Sequence, residues 1–257
     1  MARFLPAFLA LFVSFNASAA ETAKANLTIL ADETLLLPLA QLARHYATES
    51  KTPLTIVVKS ADDAERQIEQ GLEAQVIITA NRPLLDRLSE QGLTDVTSRK
   101  AMARTQLALV SANDFSGQAN IAKRISFAAM LAATPTLPVL IDDVSTIEGE
   151  RAQHLLAGHE FSQSLAARAV AKPNHDELIA SLHDEPSLGL VLAADTTTEP
   201  DIRVLSLIPD EVSPAVTYET ILLGGESMVE AKTFTNYLST REARGILAHF
   251  GYQAPLK

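Results

Sequence analysis

The chain is predicted to fold as an α/β protein built on mixed, mostly parallel sheets. Short β-rich runs alternate with helical periodicity along residues 27–249, the pattern of repeated βαβ units. Several of the runs, Val76–Thr79 among them, are apolar or nearly so throughout, as in strands covered on both faces by helices. Two such halves of similar size are followed by one more strand and a helix pair, so the first half is expected to be discontinuous.

The elements follow in order. Leu27 to Leu30 reads as a strand, and 34–50 as a helix with its stripe at Leu36, Leu39, Leu42 and Tyr46. Pro38 restricts its regular part to start near Leu37, because proline is tolerated only in a first turn. Leu54–Val58 is the second strand. Ser60 then caps a helix that Gly71 stops, with Asp63 at the capping-box position. Val76–Thr79 is a strand, 83–91 a helix ended by Gly92, and 105–111 a strand. The second half repeats the scheme: a helix over 125–133, a strand over 138–141, a helix over 148–157 stopped by Gly158, a helix over 175–184 and strands at Leu188–Leu192 and 204–207. A strand over 217–223, a Gly224-Gly225 turn and helices over 228–238 and 240–249 close the chain. The expected division is 1–19 as a signal peptide, 25–104 with 219–257 as one lobe, and 105–218 as the other, with crossings near Arg104 and Tyr218.

The first twenty residues read as an address rather than structure. Arg3 is a short positive region, 4–15 an apolar run of 12, and Ala17-Ser18-Ala19 an A-x-A cleavage site. Twelve apolar residues are too few to span a bilayer. Without cysteine there is no lipid anchor, disulfide, thiol nucleophile or thiolate metal site. The mature protein is expected in the periplasm, with no stable membrane insertion after cleavage. A formal charge of −10 and no basic run argue against nucleic acid and anionic membrane as partners. Absent tryptophan and 5% aromatics argue against an aromatic-lined sugar cleft.

No catalytic or cofactor motif stands out. G-x-S-x-G, the Walker loop, H-E-x-x-H and the dinucleotide fingerprint are all missing, so no enzyme, cofactor or metal is expected. Glu150 and His154, spaced i, i+4 with His159 and Glu160 following, could ligate a metal, but a solvated helix face accounts for them. The acid pairs Asp62-Asp63 and Asp142-Asp143 have no recognisable acid–base partner.

Three segments carry a family resemblance: Ala64-Glu65-Arg66-Gln67-Ile68-Glu69-Gln70-Gly71, Ala74-Gln75-Val76-Ile77-Ile78-Thr79-Ala80-Asn81 with Leu85-Asp86-Arg87-Leu88, and the closing run from Phe234 to Leu247 with Phe250-Gly251-Tyr252. Together they resemble the periplasmic molybdate-binding proteins of ABC importers, over essentially the whole mature chain. The resemblance implies a two-lobed type II periplasmic-binding-protein clamshell, mixed mostly parallel sheets with helices on both faces, closing on a small-molecule or oxyanion ligand for an inner-membrane ABC permease. In such proteins the anion is held by helix N-termini, backbone N–H groups and hydroxyls. Carried over by position, the ligand-binding residues are Thr34, Ser60, Ala61, Glu148, Asn174 and Leu192. Thr34 keeps a hydroxyl; Ala61 keeps only its backbone N–H; Glu148 replaces a small neutral residue; Asn174 lies in the segment matching the family's Asp-Val-Arg; Leu192 lacks the family's tyrosine hydroxyl.

The departures share a direction. Asp32, Glu33, Asp62, Asp63 and Glu148 lie at or beside predicted helix starts. A carboxylate in a first turn is favourable with the helix dipole, which covers Asp63 and in part Asp62, but Glu148 would approach a bound dianion. Lys59 and Arg151 would offset it if they turned inward. Three functions therefore stay open: an oxyanion binder with altered specificity, a site remodelled for a cationic or polar organic solute with Glu148 and Asp62 as counter-charges, and a non-transport interaction or sensor module.

Overall fold

The computed structural model describes residues 13–14, 26–112, 126–158, 162–224 and 227–256. The expected signal peptide, apart from Val13 and Ser14, and the predicted positions Ile125, His159, Glu160 and Gly225 lie outside them. The chain divides into two compact units: Met1–Met102 with Tyr218–Leu247, and Ala103–Thr217 with Ala248–Lys257.

Unit 1 is built on a six-stranded sheet. Its strands are β1 (Val13–Ser14), β2 (Leu27–Ala31), β3 (Leu54–Val58), β4 (Val76–Thr79), β5 (Thr94–Thr105) and β11 (Val216–Leu223), in the order β1-β3-β2-β4-β11-β5. β3, β2 and β4 run parallel, while β11 is antiparallel to β4 with Ile221 opposite Ile77. After β2 come one 3₁₀ turn and α1 (Leu36–Ser50); after β3 comes α2 (Ala61–Glu69); after β4 comes α3 (Arg82–Glu90). Pro38 is the third residue of α1, inside the turn whose N–H groups have no partner in any helix. The core gathers Leu30, Ile77, Leu84, Leu85, Leu88 and Ile221. A second apolar group joins Tyr46 of α1 to Phe234 and Tyr237 of α8 (Met228–Tyr237), with ring centroids 5.2 and 5.1 Å apart.

Unit 2 is built on a five-stranded sheet. β6 (Leu107–Ala112), β7 (Val139–Asp142), β8 (Ala169–Lys172), β9 (Leu188–Leu192) and β10 (Ile202–Leu207) are ordered β10-β6-β9-β7-β8. β9, β7 and β8 are parallel, while β6 and β10 form an antiparallel edge. α4 (Phe127–Ala133) precedes β7, α5 (Ile147–Gly158) and α6 (Ser162–Ala166) follow it, and α7 (His175–Asp184) connects β8 to β9. Every residue of β6, β7 and β9 is buried, as expected of strands covered on both sides. The last helix, α9 (Arg241–His249), leads into a tail that packs within unit 2. There Gln253 and Arg104 exchange backbone hydrogen bonds of 2.8 and 2.9 Å, and Gly251, at φ +76°, lies against Ala194. Residues 248–257 therefore group with unit 2, although the whole run 219–257 was expected in the first lobe.

Three elements escaped the sequence pattern. The first half of β5 (TDVTSRK) is polar and only partly buried, β8 (AVAK) is a short edge strand, and α6 has five residues. Edge strands and single-turn helices bury too little to imprint an apolar period.

Candidate functional site

In both units the helices that follow parallel strands begin at the carboxyl ends of those strands, where open α/β sheets bind ligands. In unit 1 this places Thr34, Ser60 and Ala61 beyond the ends of adjacent strands β2 and β3. Thr34 Oγ1 lies 2.9 Å from the hydroxyl of Tyr218, itself fully buried. Ser60 Oγ accepts the Asp63 N–H at 3.3 Å, so the residue read as a ligand contact caps α2. Ala61 opens that helix. Of the flanking acids, Asp63 pairs with Arg66, Asp32 is buried and accepts the Ala80 N–H at 2.7 Å, and Glu33 is exposed. The side chain of Asp62 lies outside the described residues.

In unit 2, Glu148 and Asn174 stand at the starts of α5 and α7, beyond the adjacent strands β7 and β8. Asn174 Oδ1 accepts the Glu177 N–H at 2.9 Å and so caps α7. Replacing it with alanine is expected to cost about 1 kcal/mol, the usual worth of such a cap. Thermal unfolding of Asn174→Ala against wild type measures this, and an unchanged midpoint would refute the capping role. Leu192 ends β9 with no exposed surface, so its side chain serves the core.

The start of α5 is tightly determined. Thr146 Oγ1 accepts the Gly149 N–H at 2.9 Å, which makes Thr146 the cap and Glu148 the second residue of the helix. A Cβ on Gly149 would lie 1.9 Å from the Asp143 carbonyl oxygen and 2.6 Å from that of Asp142. Glycine lets the helix start press against the end of β7 and carry Glu148 down with it.

Glu148 is consequently only 6% exposed, and it meets other acids there. It hydrogen-bonds to Asp195, in the 3₁₀ turn that follows β9, and feels the charge of Asp142 at the end of β7. Burial is the first cause pushing the Glu148 carboxyl above its usual range; the charge of Asp142 adds, while its own backbone N–H, His175 and the bond to Asp195 oppose. Asp195 is held well above the ordinary carboxylate range, again first by burial, then by the charge of Glu148 and the bond between them. Asp142 is raised by burial although it accepts the Asp143 N–H at 2.8 Å. The bond between Glu148 and Asp195 holds the first carboxyl down and pushes the second up, while burial raises both. Asp195 Oδ2 is buried, with under 1 Å² exposed.

Sequence reading reached Glu148 but not Asp195, and it set Asp142 aside. A pointer existed: Asp195 is the first acid after the apolar run that ends at Leu192, at the same carboxyl edge of the sheet as Asp142 and Glu148. Arg151 and Lys59 form no ion pair among the described residues, and Arg151 Nε is buried without a partner. His154 and Glu150 form an exposed 3.7 Å contact, and no group able to hold a metal ion occurs among the described residues. Nor is any described helix long and apolar enough to cross a membrane.

The sequence profile of the bacterial extracellular solute-binding protein family matches residues 27–253. The chain is 22% identical over 235 residues to the molybdate-binding protein ModA of Haemophilus influenzae, covering 90% of this chain and 91% of the relative. It is 23% identical over 257 residues to the Escherichia coli protein of the same name, covering 97% and 96%. Among solved structures, the periplasmic molybdate-binding protein of Azotobacter vinelandii superposes with a TM-score of 0.66 at 18% identity, covering 90% of this chain and all of that one.

Proposed function

The chain belongs to the bacterial extracellular solute-binding protein family, and from that premise we propose that it captures a small solute in the periplasm and delivers it to an inner-membrane ABC permease. Export by a signal peptide over residues 1–19, removed after Ala19, fits this role. The task is capture and release, with no bond made or broken. Two relatives named for molybdate support an oxyanion ancestry for the site.

One observation argues that the specificity has moved: the buried Glu148–Asp195 pair beside Asp142 in unit 2. Neutral donors at a helix start stabilise an oxyanion, whereas a carboxylate there repels it. Two unit charges about 4 Å apart interact by roughly 4 kcal/mol at an effective dielectric near 20, and a dianion feels about twice that. A nanomolar site has only about −12 kcal/mol in total. Within unit 1 we assign ligand contact to Thr34, Ser60 and Ala61, and within unit 2 to Glu148 and Asn174.

Calorimetry with molybdate, tungstate and sulfate at pH 7 tests this. Dissociation constants in the micromolar range or weaker are expected for all three. A nanomolar constant for molybdate would show that the specificity of the relatives has been kept.

A further inference from the structure

Resting on the assignment of Thr34 to ligand contact, we infer that Tyr218 is a positioning residue of the unit 1 half of the site: it holds the Thr34 hydroxyl in one rotamer, ready for the solute. The two residues are 184 positions apart in the chain, and the sheet brings them together. β2 ends at Ala31, and the 3₁₀ turn Glu33–Leu35 that follows carries Thr34. β4 lies beside β2, and β11 runs antiparallel to β4. The start of β11, rather than its end, is therefore at the carboxyl edge of the parallel strands. Glu219 pairs with Thr79, the last residue of β4, and Tyr218 is the residue before it.

The backbone of the turn is anchored separately. The Asp32 N–H donates to the Ile78 carbonyl at 3.2 Å, the Asp32 carboxylate accepts the Ala80 N–H at 2.7 Å, and the Leu35 N–H closes the turn on the Asp32 carbonyl at 3.0 Å. The backbone does not settle χ1 of Thr34, because a threonine hydroxyl has staggered wells to choose from. The Tyr218 hydroxyl, 2.9 Å from Thr34 Oγ1, selects one of them. Tyr218 has no exposed surface, so its ring is held by the core of unit 1 and its phenol requires hydrogen bonding. Thr34, by contrast, is half-buried. A buried phenol thus orders a hydroxyl that solvent, and hence a solute, still reaches. Ordering that hydroxyl before binding spares the complex the entropic cost.

A double-mutant cycle on binding tests the assignment. Titration calorimetry of the exported protein uses molybdate, tungstate and sulfate as probes or, where none binds, the strongest hit of a thermal-shift screen over amino acids, polyamines, sugars and carboxylic acids. Tyr218→Phe keeps the ring and removes only the hydroxyl; it should weaken the probe about fivefold, the worth of one hydrogen bond. In the Thr34→Val background the same change should have no further effect, because the hydroxyl it would order is gone. Thr34→Ser retains the hydroxyl and should bind as wild type does. Tyr46→Phe, which removes another buried tyrosine hydroxyl of unit 1, should leave binding unchanged and so separates positioning from a general loosening of the fold. Far-ultraviolet dichroism verifies that the variants fold, and if Tyr218→Phe does not, Thr34→Ser decides alone. Binding undiminished by Tyr218→Phe, weakened as much by Tyr46→Phe, weakened again in the Thr34→Val background, or lost in Thr34→Ser overturns the role of Tyr218 and leaves solute capture standing. Silence from every probe removes solute capture itself, and the role with it.

Discussion

Gly149→Ala is expected to destabilise unit 2 severely, by about 3 kcal/mol or more. The added methyl would meet the Asp143 carbonyl oxygen at 1.9 Å and its carbon at 2.4 Å. Those are backbone atoms of the residue that directly follows the buried strand β7, so neither can yield as a flexible side-chain tip would. To make room, α5 must shift off β7. That shift would lift Glu148 away from Asp195 and loosen the Thr146 cap. Each kcal/mol lowers the melting temperature of a protein this size by roughly 2–4 °C, so a calorimetric scan resolves the change. A melting temperature equal to that of wild type would mean that α5 does not start against the Asp142 and Asp143 carbonyls.

The second large effect is a dependence of stability on pH that a single substitution removes. Glu148 and Asp195 bind protons more tightly in the folded chain than in the unfolded one. Below the ordinary carboxylate range both states are protonated, and the stabilisation from these groups is fully present. It is lost as the pH rises through their raised values, because the folded state then resists an ionisation that the unfolded state accepts freely. Other acids act in the opposite sense. Glu65, held down by its bond to Arg87, and Asp95 and Asp143, held down by neighbouring hydroxyl and backbone groups, lose their contribution as the pH falls. Comparison with a variant therefore isolates the pair. Between pH 5 and pH 8, Glu148→Gln should show a flatter stability curve than wild type. At pH 8 it should be more stable by about 2 kcal/mol, the scale of relieving one poorly solvated buried polar group. Parallel curves for the two proteins would show that burial does not raise the affinity of Glu148 for a proton.

Much of the scaffold was legible because burial leaves a pattern. Val76–Thr79 and Leu188–Leu192 are apolar nearly throughout since helices cover them, and Gly71 and Gly92 mark helix ends through positive φ. The edges were not legible: Thr94–Lys100 within β5 and the four residues of β8 face solvent enough to read as loop. The candidate site residues came from the family resemblance; Ser60, Ala61, Glu148 and Asn174 stand at helix starts in the structure, where such sheets present N–H groups. Whether Ser60 and Asn174 face a ligand or cap their own helices is a matter of rotamer, which no spacing encodes.

From its sequence alone this protein was determined to be an α/β chain with paired halves, an export signal pattern, no thiol chemistry and an acid, Glu148, at a predicted helix start. Those properties are local or compositional, and the hydrophobic period records them directly. The meeting of Glu148 with Asp195, 47 positions later in the chain, was decided only by the tertiary structure. Sheet order brings the ends of β7 and β9 side by side, and the missing side chain of Gly149 lets α5 close down upon them. Burial then raises the carboxyls' affinity for a proton, and burial belongs to the packed chain rather than to any residue in it.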